Sequence, residues 1–98
     1  MSAMPEIAIA RVTTATPSRY LGQLCKHFGH RIPATHDETR GRIEFAEALC
    51  ELEASEGVLL LRLTASDEAA RERMQKVVAD HLLRFAFREA PDVVWQRA

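Results

Sequence analysis

The chain has 98 residues, an apolar share near the globular norm and a formal net charge of -1, so one modest core in a single domain, residues 1–98, is expected. Without clustered positive charge there is nothing to grip a phosphate backbone, which argues against nucleic acid as a partner. No apolar run approaches the roughly 20 residues of a membrane span, and MSAMPEIAIARVTTATPSRY lacks the basic start and long apolar stretch of a secretory signal.

A cytoplasmic protein with no membrane partner is therefore expected, its two cysteines present as thiols. A domain of this size buries a smaller share of its surface than a large one, which makes a homo-oligomer a candidate state.

In chain order, EIAIARVT is short, apolar and β-branched, and reads as a strand. TPSRYLGQLCKHFG reads as a helix, with Thr16 at the N-cap, Pro17 at the first helical position and Gly29 as a left-handed stop. Leu21, Leu24, Cys25 and Phe28 make its apolar stripe.

RIPATHDETRGRIEF reads as two extended pieces around a turn at DETRG. ALCELEA alternates, with Cys50 and Leu52 on one face and Glu51 and Glu53 on the other. SEG leads tightly into VLLLRLTA, where Leu59, Leu61 and Leu63 share a face, so these two runs form an antiparallel hairpin.

Ser66 or Asp67 caps a long second helix, DEAARERMQKVVADHLLRFAFR, whose buried stripe is Ala70, Met74, Val77, Val78, His81 and Phe85. Pro91 takes the chain out of the helix by about Ala90, and DVVWQ is a final short strand. The order β-α-β-β-β-β-α-β implies an α+β fold with two helices packed on one face of a mostly antiparallel sheet.

LCKHFGHR places one cysteine and two histidines close together. On a helix, residues two apart diverge by about 200°, so Cys25 and His27 do not share an ion while the helix holds. A second pair of ligands is missing as well, so CKHFGH is a weak zinc motif.

A better coincidence joins Cys25, Cys50 and His81. Periodicity aims all three into the interior, from the first helix, a central strand and the second helix. Thiolates and imidazole together suit a transition metal such as zinc, copper(I) or iron, and His81 beside a thiol would lower its pKa. The competing reading is plain packing, because a free cysteine behaves as a small buried hydrophobe.

Tyr20 and His27, seven positions apart on the first helix, are candidates for a polar pair binding a small ligand at a cleft rim. Arg31, Arg40 and Arg42 are candidates for an anion-binding cluster, against the alternative of solvated or ion-paired side chains. Leu83 and Phe87 lie largely opposite the buried stripe and mark a partner surface unless the segment around Trp95 covers them. No glycine-rich phosphate loop, serine elbow or paired-cysteine redox motif occurs.

RYLGQLCKHFGHRIP and HLLRFAFREAPDVVW resemble the two signature regions of the bacterial family called domain of unknown function 2218, and GRIEFAEALCELEA is similar to its middle. The resemblance runs from Ile7 to Trp95 and includes Tyr20, Cys25, His27, His30, Cys50, His81, Arg84, Phe85 and Trp95.

It implies a short, single-domain bacterial protein and carries no activity. Some relatives bear the name of a dihydroxyheptenedioate aldolase. That name is set aside, because such aldolases are barrels and a barrel needs on the order of 200 residues or more. The resulting expectation is a binding or accessory protein for a small ligand or transition metal, with a ligand-free homo-oligomeric interaction module as the alternative. A thiol-dependent enzyme is a third reading, without a visible base and orienting group.

Overall fold

The structure is a computed structural model that describes residues 5–98. The elements are β1 (Glu6–Thr13), α1 (Pro17–Gly29), β2 (Ala34–His36), β3 (Arg40–Glu44), β4 (Ala48–Ser55), β5 (Val58–Ala65), α2 (Glu68–Phe85) and β6 (Trp95–Arg97). The strands form one six-stranded sheet in the order β2-β3-β4-β5-β1-β6, and every neighbouring pair is antiparallel. The α+β arrangement expected from the sequence is thus the observed one. Among the described residues no helix is long and apolar enough to cross a membrane.

Alternation builds the sheet. Cys50 and Leu52 of β4 stand opposite Leu63 and Leu61 of β5, and Leu61 and Leu59 stand opposite Ala10 and Val12 of β1. All of these are buried, because both helices cover this face. The intervening residues Glu51, Glu53 and Arg62 point to the open face and are exposed.

The β4–β5 connection is two residues long, with Gly57 at φ 73°, a left-handed conformation that suits glycine. The β2–β3 turn lies slightly earlier than DETRG suggests. Asp37 Oδ1 accepts hydrogen bonds from the backbone N–H groups of Thr39 and Arg40, each at 2.8 Å, so β3 already begins at Arg40.

The helix ends depart from expectation in two places. Thr16 makes no side-chain cap. The Thr14 hydroxyl accepts from the Thr16 N–H instead, at 3.2 Å, and the exposed first turn around Ser18 and Arg19 needs no side-chain partner. Gly29 ends α1, but Gly57 is the sole described glycine with positive φ. The helix stops by tightening around the Phe28 carbonyl, which accepts from Arg31 and Ile32 N–H at 3.1 and 3.0 Å, before Pro33 forces extension.

In α2 Asp67 is the cap, accepting from Ala70 N–H at 2.8 Å. The buried row is Ala70, Met74, Val78 and Leu82, whereas Val77, His81 and Phe85 are half-buried on its flank. The contact follows the four-residue ridge of the helix, which turns the stripe away from the expected one. Arg71 joins that face with only 6 % of its surface exposed. It pairs with Glu6 of β1 at 3.2 Å and donates to Gln75. Arg97 of β6 reaches the same Glu6 oxygen at 3.0 Å.

Gly41 of β3 decides how closely α1 lies on the sheet. A Cβ there would stand 2.7 Å from Cys25 Sγ and 3.2 Å from Leu21 Cδ2. Gly41→Ala is therefore expected to destabilise the fold by about 1–3 kcal/mol through overpacking. Removing Sγ relieves the nearer of the two contacts, so Cys25→Ala combined with Gly41→Ala should lose less than the sum of the single changes. Chemical denaturation of the three variants measures this, and strict additivity would show that the sulfur does not set the spacing.

Candidate functional site

Cys25 and Cys50 lie in the core, both without meaningful exposure. Desolvation pushes the Cys25 thiol up to about 11, partly offset by a backbone hydrogen bond from Arg42. Desolvation, followed by the repulsion the two thiols would feel on ionising and by the Glu51 carboxylate, pushes Cys50 up to about 12. Both are therefore protonated thiols near neutral pH, the opposite of an activated nucleophile.

His81 is half-buried and keeps other company. Its ring centroid lies 4.9 Å from that of His27 and 4.8 Å from that of Phe28. Among the described residues no group of three or more His, Cys, Asp and Glu is placed to hold a metal ion, so Cys25, Cys50 and His81 do not form an assembled donor set here.

The aromatic contacts of His81 outline a cleft between the end of α1, the β3–β4 turn and α2. It encloses about 560 Å³, within the range of small-molecule sites. His27 and Phe28 form one wall, continued by the turn from His30 to Ile32. Phe45 lies across from them, 4.9 Å from Phe28 between ring centroids and near perpendicular to it. Met74, Val77 and His81 of α2 close the third side.

The His81 Nδ1 lies 2.7 Å from the Val77 carbonyl oxygen. A carbonyl only accepts, so Nδ1 carries the proton and donates. Nε2 then keeps its lone pair when the ring is neutral and becomes a second donor when it is charged.

His27 is exposed, yet its ring also meets Phe28 and Phe85, at 5.1 and 5.7 Å. Its pKa is lowered from the ordinary imidazole value, first by desolvation and then by the positive charge of His81, Arg84, His30 and Arg31.

Tyr20 does not share this cleft with His27. Its hydroxyl donates to Glu89 Oε1 at 2.9 Å. The Thr14 hydroxyl donates to the same oxygen at 2.8 Å, and the Ala15 N–H donates to Oε2 at 3.1 Å. The ring of Tyr20 lines a separate groove with Phe85, Phe87 and Arg88, and Phe85 stands between that groove and His27. Tyr20 thus clasps the segment after α2 to the start of α1.

The three arginines also separate. Arg31 lines the cleft, while Arg40 and Arg42 are on the open face of β3. Phe87 is 69 % exposed and Leu83 is 37 % exposed, with the Arg88 guanidinium 5.7 Å from the Phe87 ring centre, so the carboxy-terminal segment does not cover Phe87.

Ile32 and Phe45 are the lining residues that sequence reasoning passed over, and Phe28, Met74 and Val77 are ones it assigned to the core alone. The available signal was the pairing of Phe28 with Ile32 beyond the helix end and the aromatic Phe45 closing its strand.

The clasp has a pH signature. Hydrogen bonds from Thr14, then from the Ala15 amide and Tyr20, hold Glu89 below the ordinary carboxylate range. A depressed folded-state pKa adds stability that is complete above the unfolded value of about 4.3 and fades as pH falls through the lower folded value. Glu89→Gln lacks the charge. The gap in melting temperature between wild type and Glu89→Gln should therefore narrow as pH drops below about 4.3. A gap independent of pH would mean the carboxylate charge contributes nothing.

The family described as uncharacterized protein conserved in bacteria (DUF2218) matches residues 9–96 of the chain, which include every residue of the cleft. Among solved structures the chain is similar to PA4090 from Pseudomonas aeruginosa, determined by NMR, with 38 % identity and a TM-score of 0.79. That similarity covers 93 % of this chain and 95 % of that one. A comparison with curated proteins finds no match. With the match spanning nearly the whole fold from β1 to β6, the chain belongs to the bacterial DUF2218 family.

Proposed function

We propose that the chain is a small-ligand-binding accessory protein and that the ligand occupies the cleft between α1, the β3–β4 turn and α2. The observation that carries this reading is the packing of two imidazoles against Phe28, whose ring in turn meets Phe45, at the mouth of a 560 Å³ cleft. A predominantly apolar pocket with a few convergent polar groups is the usual form of a small-molecule site. Here the polar groups are His27, His30, Arg31 and His81.

The protonated, buried thiols favour binding over thiol catalysis. Backbone amide chemical-shift mapping with a set of small ring compounds tests the reading. Shifts should cluster at His27, Phe28, Phe45, Val77 and His81, and Val77→Trp, which fills the cleft from one wall, should abolish them. Shifts confined to the open sheet face would discard it.

A second reading, self-association, is favoured by a different observation. Across the open face, Arg42 stands opposite Glu51, and Glu51 opposite Arg62, while Arg40 stands opposite Glu53. Among the described residues none of these three arginines forms an ion pair. Such an alternating pattern is complementary to itself when two copies meet face to face. Sedimentation should then report a dimer, Arg62→Glu should yield monomer, and mixing it with Glu51→Arg should restore association. A monomeric wild type removes this reading.

A further inference from the structure

The cleft has an electrostatic asymmetry that narrows what it can hold, and the inference rests on the ligand-binding reading above. Its lining contains three histidines and Arg31 but no aspartate or glutamate. Arg84 adds a positive charge near His27. The acids on neighbouring elements are turned away or engaged elsewhere: Glu44 alternates with buried Ile43 and so lies on the open face of β3. Asp80, beside His81 in the chain, pairs with Lys76 at 3.1 Å, and Glu47 in the β3–β4 turn pairs with Arg73. The negative end of the α1 dipole also points here, but the Phe28 carbonyl already accepts from both Arg31 and Ile32 N–H. Positive charge therefore converges on an apolar, aromatic floor from both helices.

We propose that the cleft takes a flat organic anion, an aromatic or similarly planar carboxylate, with its ring against Phe28 and Phe45 and its charge facing His27, Arg31 and His81. The Val77 carbonyl fixes the roles of the two His81 nitrogens. Nδ1 is committed to the backbone, so Nε2 is the atom that meets the ligand. In the neutral ring it offers a lone pair, which repels a carboxylate. In the charged ring it donates a charge-assisted hydrogen bond.

The positive neighbours that, after desolvation, lower the His27 pKa become tolerable once an anion is present. Binding thus takes up protons, and affinity rises as pH falls through the imidazole range. On α1 and the turn after it, the groups facing this site are His27, His30 and Arg31; on α2 they are His81 and Arg84, with Asp80 held by Lys76; on the β3–β4 turn Glu47 is held by Arg73.

The test titrates the full chain with 2-naphthoate, 2-naphthylmethanol and 2-naphthylmethylamine, which share a ring and differ in charge. Dissociation constants are read from amide shifts at about pH 6 and about pH 8. Naphthoate is expected to bind at least about tenfold more tightly than the alcohol at the lower pH. Its advantage should shrink at the higher pH and be lost in His81→Phe and in Arg31→Gln, both of which keep the cleft walls.

Equal binding of naphthoate and the alcohol at both pH values would overturn the anionic assignment while leaving the cleft as a ring-binding site. Tighter binding of the amine would overturn the sign. Failure of all three probes to move cleft resonances at concentrations on the order of 1 mM would remove the ligand-binding reading and this inference with it.

Discussion

The placement of α1 depends on one missing side chain. At Gly41 the sheet offers bare backbone, and Cys25 settles onto it closer than a Cβ would allow, with Leu21 packed tightly beside it. This close approach holds α1 over the β2–β4 half of the sheet and leaves α2 to cover β5 and β1. It also carries the last turn of α1 to the β3–β4 turn, where Phe28 meets Phe45. A wider spacing would separate those two rings and open the cleft floor. The cysteine beneath Gly41 thus has a complete role as a packing atom, small enough to fit and apolar enough to be buried.

Two polar ties then fix what the core alone leaves free. Glu6 accepts from Arg71 of α2 and from Arg97 of β6 through the same oxygen, which joins the first strand, the second helix and the last strand at one carboxylate. Glu89 does the same at the other end of α2, receiving Thr14, Ala15 and Tyr20. The half of α2 that bears Val77 and His81 lies between these anchors. Its position against α1 is therefore held by packing along its length and by hydrogen bonds at both ends.

The strands were legible because burial of one sheet face imposes a period of two, and Leu59, Leu61 and Leu63 repeat it without interruption. The cap at Asp67 was equally local. What stayed hidden depends on partners far apart in the chain. Arg71 reads as a surface residue until Glu6, 65 positions away, is brought to it. Tyr20 reads as a ligand-facing residue until Glu89 arrives from 69 positions away.

The stripe on α2 misled by one flank, placing His81 and Phe85 where Leu82 sits, because apolar spacing fixes a helical face only to within a residue or so and the tilt of the four-residue ridge decides the rest. His27 and His81 were each visible as chemically capable, but nothing in either local pattern states that their rings stand 4.9 Å apart.

Both edges of the sheet are very short. β2 and β6 are three residues each, β2 follows directly from Pro33, and β6 ends on Arg97. The long strands β4 and β5 are paired on both sides over most of their length, and β1 is covered by β6 at Ala8–Ala10. The edge strands themselves offer little backbone for a foreign strand to extend, and proline and arginine at those margins discourage it further. The molecule is accordingly shielded from ribbon-like aggregation while its broad faces and its cleft stay open, which confines recognition to side chains.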